Sequence, residues 1–107
     1  MTLDEYQDYA ERTINRELND TDMLINSALG MAGEAGEVAD HIKKVVYQAH
    51  DMDRAALINE AGDVLWYIAQ LATALDMPLS EIAQRNIAKL QARYPAGFDA
   101  KRSINRE

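Results

Sequence analysis

The chain has 107 residues, a length that suits one small domain and not two. Its 18 acidic and 11 basic residues give a net charge of −7, which disfavours binding to a nucleic-acid backbone, and the absence of cysteine excludes disulfides, thiolate metal sites and thiol nucleophiles. No apolar run is long enough to span a membrane, and the polar, acidic first residues are unlike a signal peptide. We therefore expect a cytoplasmic protein with no nucleic-acid or membrane partner.

The composition favours helix throughout, and polar breaks divide the chain into four predicted helices. Thr2 followed by Glu5 is typical of a capping box, which opens a first helix that runs to about Leu18. The other three are predicted from about Met23 to His50, from a cap at Asp53 to near Asp76, and from Ser80 to the residue before Tyr94. Residues 1–98 are thus predicted to form a single helical domain, and 99–107 a polar, basic and loose tail.

The third predicted helix has a wider apolar surface than a small monomer can cover. Leu57, Val64 and Leu71 contribute to this surface, while Trp66 and Ala69 extend it to another side. Such a helix needs more apolar partners than one chain of this length offers. We therefore expect an all-α fold, an antiparallel bundle of about four helices that is completed by homodimerisation.

Acidic residues interrupt the apolar surface at matching positions of two neighbouring helices. They occur as Glu-x-x-Glu and Glu-x-x-Asp, a spacing that projects both carboxylates from one helix face. We call these residues the carboxylate site; they are Glu34, Glu37, Glu60 and Asp63. Apolar neighbours such as Val38 and Val64 desolvate the acids, which is unfavourable without a countercharge. Because oxygen ligands suit hard cations, the pattern predicts a site for Mg²⁺ or Mn²⁺.

Two other interpretations of these acids are weaker. Each pair alone is typical of a solvated helix face with ordinary ion pairs, for example between Glu37 and Lys44. Glycine, however, costs about 1 kcal/mol relative to alanine inside a helix, and glycines beside the acids would let a helix or a ligand approach. These helical glycines are Gly30, Gly33, Gly36 and Gly62. A di-iron bundle would need Glu-x-x-His, and neither histidine lies at that spacing.

Polar and basic residues continue the helix faces beyond the carboxylate site. Lys44 follows Glu37 along the second helix, and Tyr67 follows Asp63 along the third. A further line on the fourth helix consists of Asn86, Lys89 and Arg93. An amide, cations and an aromatic ring are suited to a base and a phosphate chain, and we expect Lys44 to contact the substrate too. Each residue alone also fits packing or a favourable helix end.

Three segments carry a resemblance to a known family. They are residues 29–38 (LGMAGEAGEV), 59–67 (NEAGDVLWY) and 86–95 (NIAKLQARYP). With them the sequence, from about residue 24 to 98, resembles the MazG-like, all-α nucleoside triphosphate pyrophosphohydrolases. The resemblance implies a helical bundle formed by dimers, sometimes paired into tetramers. It also implies hydrolysis of a nucleoside or deoxynucleoside triphosphate to the monophosphate and pyrophosphate.

The resemblance further implies roles for individual residues. It assigns Mg²⁺ to the carboxylate site and the substrate phosphates to Lys89 and Arg93. It places Tyr67 beside the nucleotide, with Asn86 as a further contact. Among the carboxylates we expect Glu37 to take the proton of the attacking water, while Lys89 and Arg93 stabilise charge on the departing pyrophosphate.

The sequence departs from the family pattern at two positions. Many members carry an additional glutamate directly before the first motif acid, where this chain has Gly33, and some carry a lysine where it has Ala56. A general base assigned to that additional glutamate cannot be carried over. This leaves a second interpretation, in which the chain is a non-catalytic helical interaction module that binds nucleotide or metal.

Overall fold

Residues 1–106 are described by a computed structural model, in which they form five α-helices and no β-strand. The helices are α1 (Leu3–Glu11), α2 (Asp20–Tyr47), α3 (Arg54–Ala74), α4 (Leu79–Arg93) and α5 (Ala100–Ile104). The all-α prediction is confirmed. Over the same residues, none of the helices combines the length and the apolar character that crossing a bilayer requires.

Local capping explains where the first three helices begin. The Thr2 side chain accepts from the Glu5 N–H and the Glu5 side chain accepts from the Thr2 N–H, which is the predicted capping box. Asn19 caps α2 and Asp53 caps α3, each accepting the backbone N–H three residues later, at 2.8 and 3.0 Å. α3 therefore begins at its predicted cap, whereas α2 begins and ends three residues earlier than predicted.

The first helix is shorter than predicted, because it ends at Glu11 instead of near Leu18. The Thr13 hydroxyl donates to the Ala10 carbonyl at 2.8 Å, and it accepts from Nε1 of Trp66 at 2.8 Å. The Thr13 side chain thus bonds to the Ala10 carbonyl, which a continued helix would use for a backbone hydrogen bond. It is also bonded to Trp66 of α3. The chain therefore leaves the helical path at this point.

Part of the predicted loose tail is helical, because α5 forms over Ala100–Ile104. The Asp99 carboxylate accepts two backbone N–H groups of the first turn of α5, at 2.8 and 3.2 Å. Glu107, the last residue of the predicted tail 99–107, lies outside the described residues. The division between that tail and a domain of residues 1–98 stays a prediction.

α3 is the central helix, since α2 packs along it while α1 and α4 contact both it and each other. A short loop joins α2 to α3, so these two helices run antiparallel. Among residues 1–106, the buried apolar side chains are few: Ala10, Ala69, Ala72 and Leu79. The radius of gyration is 16.8 Å, compared with about 13 Å for a compact domain of about 100 residues. A single chain therefore leaves much apolar surface uncovered.

A buried polar network fixes α2 against α3. Gln70 is 1% exposed, and its Nε2 donates to Oδ1 of Asn26 and to Oγ of Ser27, both at 2.9 Å. The Ser27 hydroxyl in turn donates to the Met23 carbonyl at 2.7 Å. Because buried polar groups are costly unless they are paired, this network favours one register between the two helices.

The N-terminus of α4 is capped from α1, not from its own sequence. Pro78, at the N-cap position, makes no side-chain cap bond. Instead, Asp4 accepts from the Ser80 N–H at 2.9 Å and from the Ser80 hydroxyl at 2.7 Å, while Gln7 Oε1 accepts from the Leu79 N–H at 2.8 Å. These two bonds lower the pKa of Asp4; the one from the Ser80 backbone N–H has the larger effect, and the one from its hydroxyl the smaller.

We expect Asp4→Asn to destabilise the protein near neutral pH more than in acid. The folded pKa of Asp4 lies below its ordinary value of 3.8. The ionised carboxylate therefore stabilises the fold above that ordinary value, and the contribution is lost as the pH falls through the folded pKa. Urea unfolding of wild type and variant at one protein concentration, from about pH 7 to about pH 3, measures the difference. Asp8→Asn, at an exposed position of α1, is the control, and an Asp4 effect that stays constant with pH would contradict this account.

Candidate metal centre and phosphate site

The carboxylate site lies where α2 and α3 pack side by side. Glu34 and Glu37 come from α2, and Glu60 comes from α3. One carboxylate oxygen from each of these three residues lies within 4.8 Å of the others. Asp63, on the next turn of α3, is outside this close group, but its charge acts on both Glu34 and Glu60. The structure thus brings three of the four predicted ligands together and places the fourth within electrostatic range.

Burial is the largest cause of the raised pKa at both Glu34 and Glu60. The next largest cause in each case is the negative charge of Glu37, and Asp63 acts in the same direction. Desolvation and like-charge repulsion both disfavour the ionised acids. The carboxylate site is therefore a place where a cation would relieve an unfavourable accumulation of charge.

One oxygen of the carboxylate site has no hydrogen-bond partner. Oε2 of Glu60 is buried, and no donor among the described residues reaches it. A buried acceptor in this condition is unfavourable unless a ligand satisfies it. Three convergent carboxylates, one of which carries an unsatisfied buried oxygen, fit a hard divalent cation such as Mg²⁺ or Mn²⁺. The residues that would hold it are Glu34, Glu37 and Glu60, with Asp63 nearby.

The helical glycines have two different environments. At Gly30 an added Cβ would collide with the ring of Tyr67, so the absence of a side chain on α2 lets α3 pack closely. At the other three, no described atom beyond the adjacent residues and the nearby backbone of the same helix lies within 4 Å of the position that a Cβ would take. These three are Gly33, Gly36 and Gly62. Within one chain, the surface beside the acids is therefore open.

Tyr67 is half-buried at the contact between α2 and α3. Its ring lies over Gly30 and meets the Trp66 ring edge to face, with the centroids 5.0 Å apart. This packing fixes the ring one turn after Asp63 on α3. Contact of Tyr67 with a nucleotide stays a prediction.

A cleft beside the carboxylate site contains a residue that the motif spacing did not indicate. The cleft measures about 420 Å³, and its lining consists of Glu37, Asp40, His41, Lys44, His50 and Glu60. Asp40 pairs with Lys44 at 2.9 Å and with Lys43 at 3.0 Å, and the bond from Lys44 is the main cause of its lowered pKa. The spacing of Asp40 and Lys44, four residues apart on one helix, is the signal that could have identified this pair.

His41 lies in the same cleft and also holds the loop between α2 and α3. Its Nε2 accepts the backbone N–H of Asp53 at 3.1 Å. Asp53 is also the N-cap of α3. A single imidazole of α2 thereby helps to position the start of the helix that carries Glu60.

The predicted phosphate-binding residues of α4 lie in a different cleft. Asn86 and Lys89 are exposed, and Arg93 is half-buried. Lys89 and Arg93 line a groove of about 680 Å³ together with residues of α5. This groove shares no lining residue with the cleft beside the carboxylate site. Among the described residues, Lys89 and Arg93 thus lie in a cleft separate from that of Glu37 and Glu60.

Comparison with known proteins agrees with the motifs. Residues 24–98 match the model of the MazG nucleotide pyrophosphohydrolase domain. The Gene 37 protein of Mycobacterium phage L5 is 45% identical over 73 residues, which cover 64% of this chain and 64% of that protein. The chain thus aligns with less than two thirds of the length of this relative, and no solved structure matches it significantly. Because the domain match covers more than half of the chain, the chain belongs to the MazG nucleotide pyrophosphohydrolase domain family.

Proposed function

We propose that the protein is a Mg²⁺-dependent nucleoside triphosphate pyrophosphohydrolase, which converts an NTP or dNTP to the monophosphate and pyrophosphate. The observation that carries the proposal is the unsatisfied, buried Oε2 of Glu60 among the carboxylates of Glu34 and Glu37. Family membership supports the reaction class, because the matched domain is named for nucleotide pyrophosphohydrolysis.

In this proposal the carboxylate site holds Mg²⁺, with Mn²⁺ as a substitute. A divalent cation supplies positive charge against phosphate oxygens and lowers the pKa of water. Of the three acids in the close group, Glu37 is exposed, whereas Glu34 and Glu60 are half-buried. We assign to Glu37 the removal of a proton from the attacking water.

The bond that breaks is the one between the α-phosphorus and the oxygen that bridges to the β-phosphorus. The water oxygen forms the new bond to the α-phosphorus, one proton goes to Glu37, and pyrophosphate leaves with the bonding electron pair. Lys89 and Arg93 stabilise the charge that develops on the leaving group. Asn86 and Tyr67 are assigned to the nucleoside side of the substrate.

Lys44 requires a change of partner to act on the substrate. It is paired with Asp40 at the wall of the cleft that also contains Glu37 and Glu60. A phosphate group that enters this cleft would compete with Asp40 for the lysine. We therefore assign Lys44 a binding role that depends on exchange of this ion pair.

We further propose that the active form is a homodimer, or a pair of dimers. Large apolar side chains of α2 and α3 are exposed in one chain, including Leu29 at 69%, Val46 at 62% and Ile58 at 55%. Burial of this area against a second copy would be favourable. A second copy would also cover the open backbone beside the acids and offers a way for the groove of α4 to meet a carboxylate site.

A second candidate function is a non-catalytic module that binds nucleotide or metal. Gly33 favours it, because the family resemblance implies an additional glutamate at this position in many members, and here the position offers no side chain. The two candidates differ in one readily measured property, which is release of pyrophosphate.

The first prediction from the proposed function concerns product and metal. With Mg²⁺, at least one member of a panel of NTPs and dNTPs should yield pyrophosphate and a monophosphate, and chelation of the metal should stop the reaction. Glu60→Gln and Asp63→Asn should each lower kcat/KM on the order of 100-fold or more, because each removes a charge from the site. Glu17→Gln, an exposed acid between α1 and α2, is the matched control.

Either of two results would contradict the enzyme proposal. One is the absence of pyrophosphate release from every nucleotide with both Mg²⁺ and Mn²⁺, in which case nucleotide or metal binding alone favours the module. The other is full turnover in Glu60→Gln and Asp63→Asn, which would remove the carboxylate site from the mechanism.

The second prediction concerns assembly. Sedimentation velocity of the folded protein should give a mass of twice or four times the 12.0 kDa of one chain. The reason is the apolar area that one chain leaves exposed on α2 and α3. A helical species that sediments at 12.0 kDa across the concentration range would contradict the homodimer.

A further inference from the structure

The turn after α4 directs the chain back toward that helix. Gly97 has φ of +93°, a conformation that favours glycine, and its N–H donates to the Tyr94 carbonyl at 3.1 Å. The Tyr94 and Phe98 rings pack with their centroids 5.6 Å apart, which closes the turn from the side. As a result, α5 and the C-terminal half of α4 line one groove.

This arrangement creates a groove with a concentrated positive charge, which we call the basic groove. Its basic lining residues are Lys89 and Arg93 of α4, Lys101 and Arg102 of α5, and Arg106 just beyond it. The other lining residues are Ala92, Asp99 and Asn105. Among the described residues, one carboxylate and five cations line the groove, and that carboxylate, of Asp99, already caps α5.

The basic groove is unusual for this chain. The protein has a net charge of −7, yet five of its 11 basic residues line this single groove. Among residues 1–106, the recorded salt bridges involve only lysines of α2 and Arg85, and none of the five groove cations. Like charges that converge without a salt bridge to residues 1–106 favour an anion of high charge density.

The size and the charge of the groove select the kind of anion. A volume of about 680 Å³ accommodates a compact group with several phosphates. Arginine and lysine side chains together suit phosphate oxygens, since the guanidinium offers paired donors and the ammonium a mobile point charge. A long nucleic acid would extend beyond the groove over a protein surface of net negative charge. Because its phosphates are negative too, repulsion opposes its binding.

We propose that the basic groove binds the polyphosphate group of the nucleotide, and that Lys101, Arg102 and Arg106 of the C-terminal helix segment are substrate-binding residues together with Lys89 and Arg93. The assignment of the anion to a nucleotide rests on the proposed function. The three residues of the tail lie beyond the matched domain of residues 24–98, so they add a binding element to it.

Titration calorimetry with inorganic tripolyphosphate, in chelator and without metal, tests the groove directly. The double variant Lys101→Gln/Arg102→Gln should raise the dissociation constant on the order of tenfold relative to wild type. The double variant Arg12→Gln/Arg16→Gln removes the same charge from exposed positions outside the groove and should change it by less than about twofold. Circular dichroism confirms that all variants keep their helix content.

Three results would overturn the groove assignment. Equal weakening by both double variants would show a general effect of net charge. No weakening by the groove double variant would exclude α5 from binding. Tighter binding of a single-stranded oligonucleotide than of tripolyphosphate in the same buffer would identify a nucleic-acid site instead.

Hydrolysis measurements separate this inference from the proposed function. If both hold, the groove double variant raises KM for the nucleotide about tenfold with a smaller change in kcat, because lost uniform binding acts on KM. Normal hydrolysis with unchanged KM and unchanged tripolyphosphate binding refutes the groove alone. Groove-dependent tripolyphosphate binding in a protein that hydrolyses no nucleotide refutes the proposed function alone.

Discussion

The close pairing of α2 with α3 is the constraint on which the candidate site depends. Gln70 fixes the two helices through Asn26 and Ser27, while Glu37 and Glu60 are held in one acidic group farther along the same contact. Burial and mutual repulsion make that group unfavourable, as the raised pKa of Glu60 shows. The packing of α2 against α3 therefore holds together carboxylates that repel one another. A cation bound among them would relieve that repulsion.

The sequence contained enough local signals to predict most helix bounds and the acidic spacing. Caps such as Asn19 and Asp53 act through residues three positions away, so they can be recognised without a structure. The early end of α1 could not be predicted, because it depends on a bond between Thr13 and Trp66 on a different helix. The same limit applies to the start of α4, which Asp4 caps from α1. Interactions between distant parts of the chain decided these features.

The site was predicted in part for a similar reason. Helical spacing indicated that Glu34 and Glu37 share a face, and the likeness of the two motifs suggested that Glu60 would join them. Helical periodicity did not indicate that the cations of α4 and α5 line one groove, because the turn at Gly97 brings these residues together. The two regions of opposite charge lie in separate clefts of one chain. In the proposed mechanism a second copy of the chain would have to bring these regions together, and it would cover the exposed apolar surface of α2 and α3.

The proposed binding of a divalent cation at the carboxylate site can be tested without a nucleotide. Electron paramagnetic resonance of Mn²⁺ measures this directly, since the signal of the free ion falls as the ion binds. The account predicts saturable loss of the signal with wild-type protein, and binding at least about tenfold weaker in Glu60→Gln. Equal Mn²⁺ affinity in wild type and Glu60→Gln, or no signal loss with either, would contradict it.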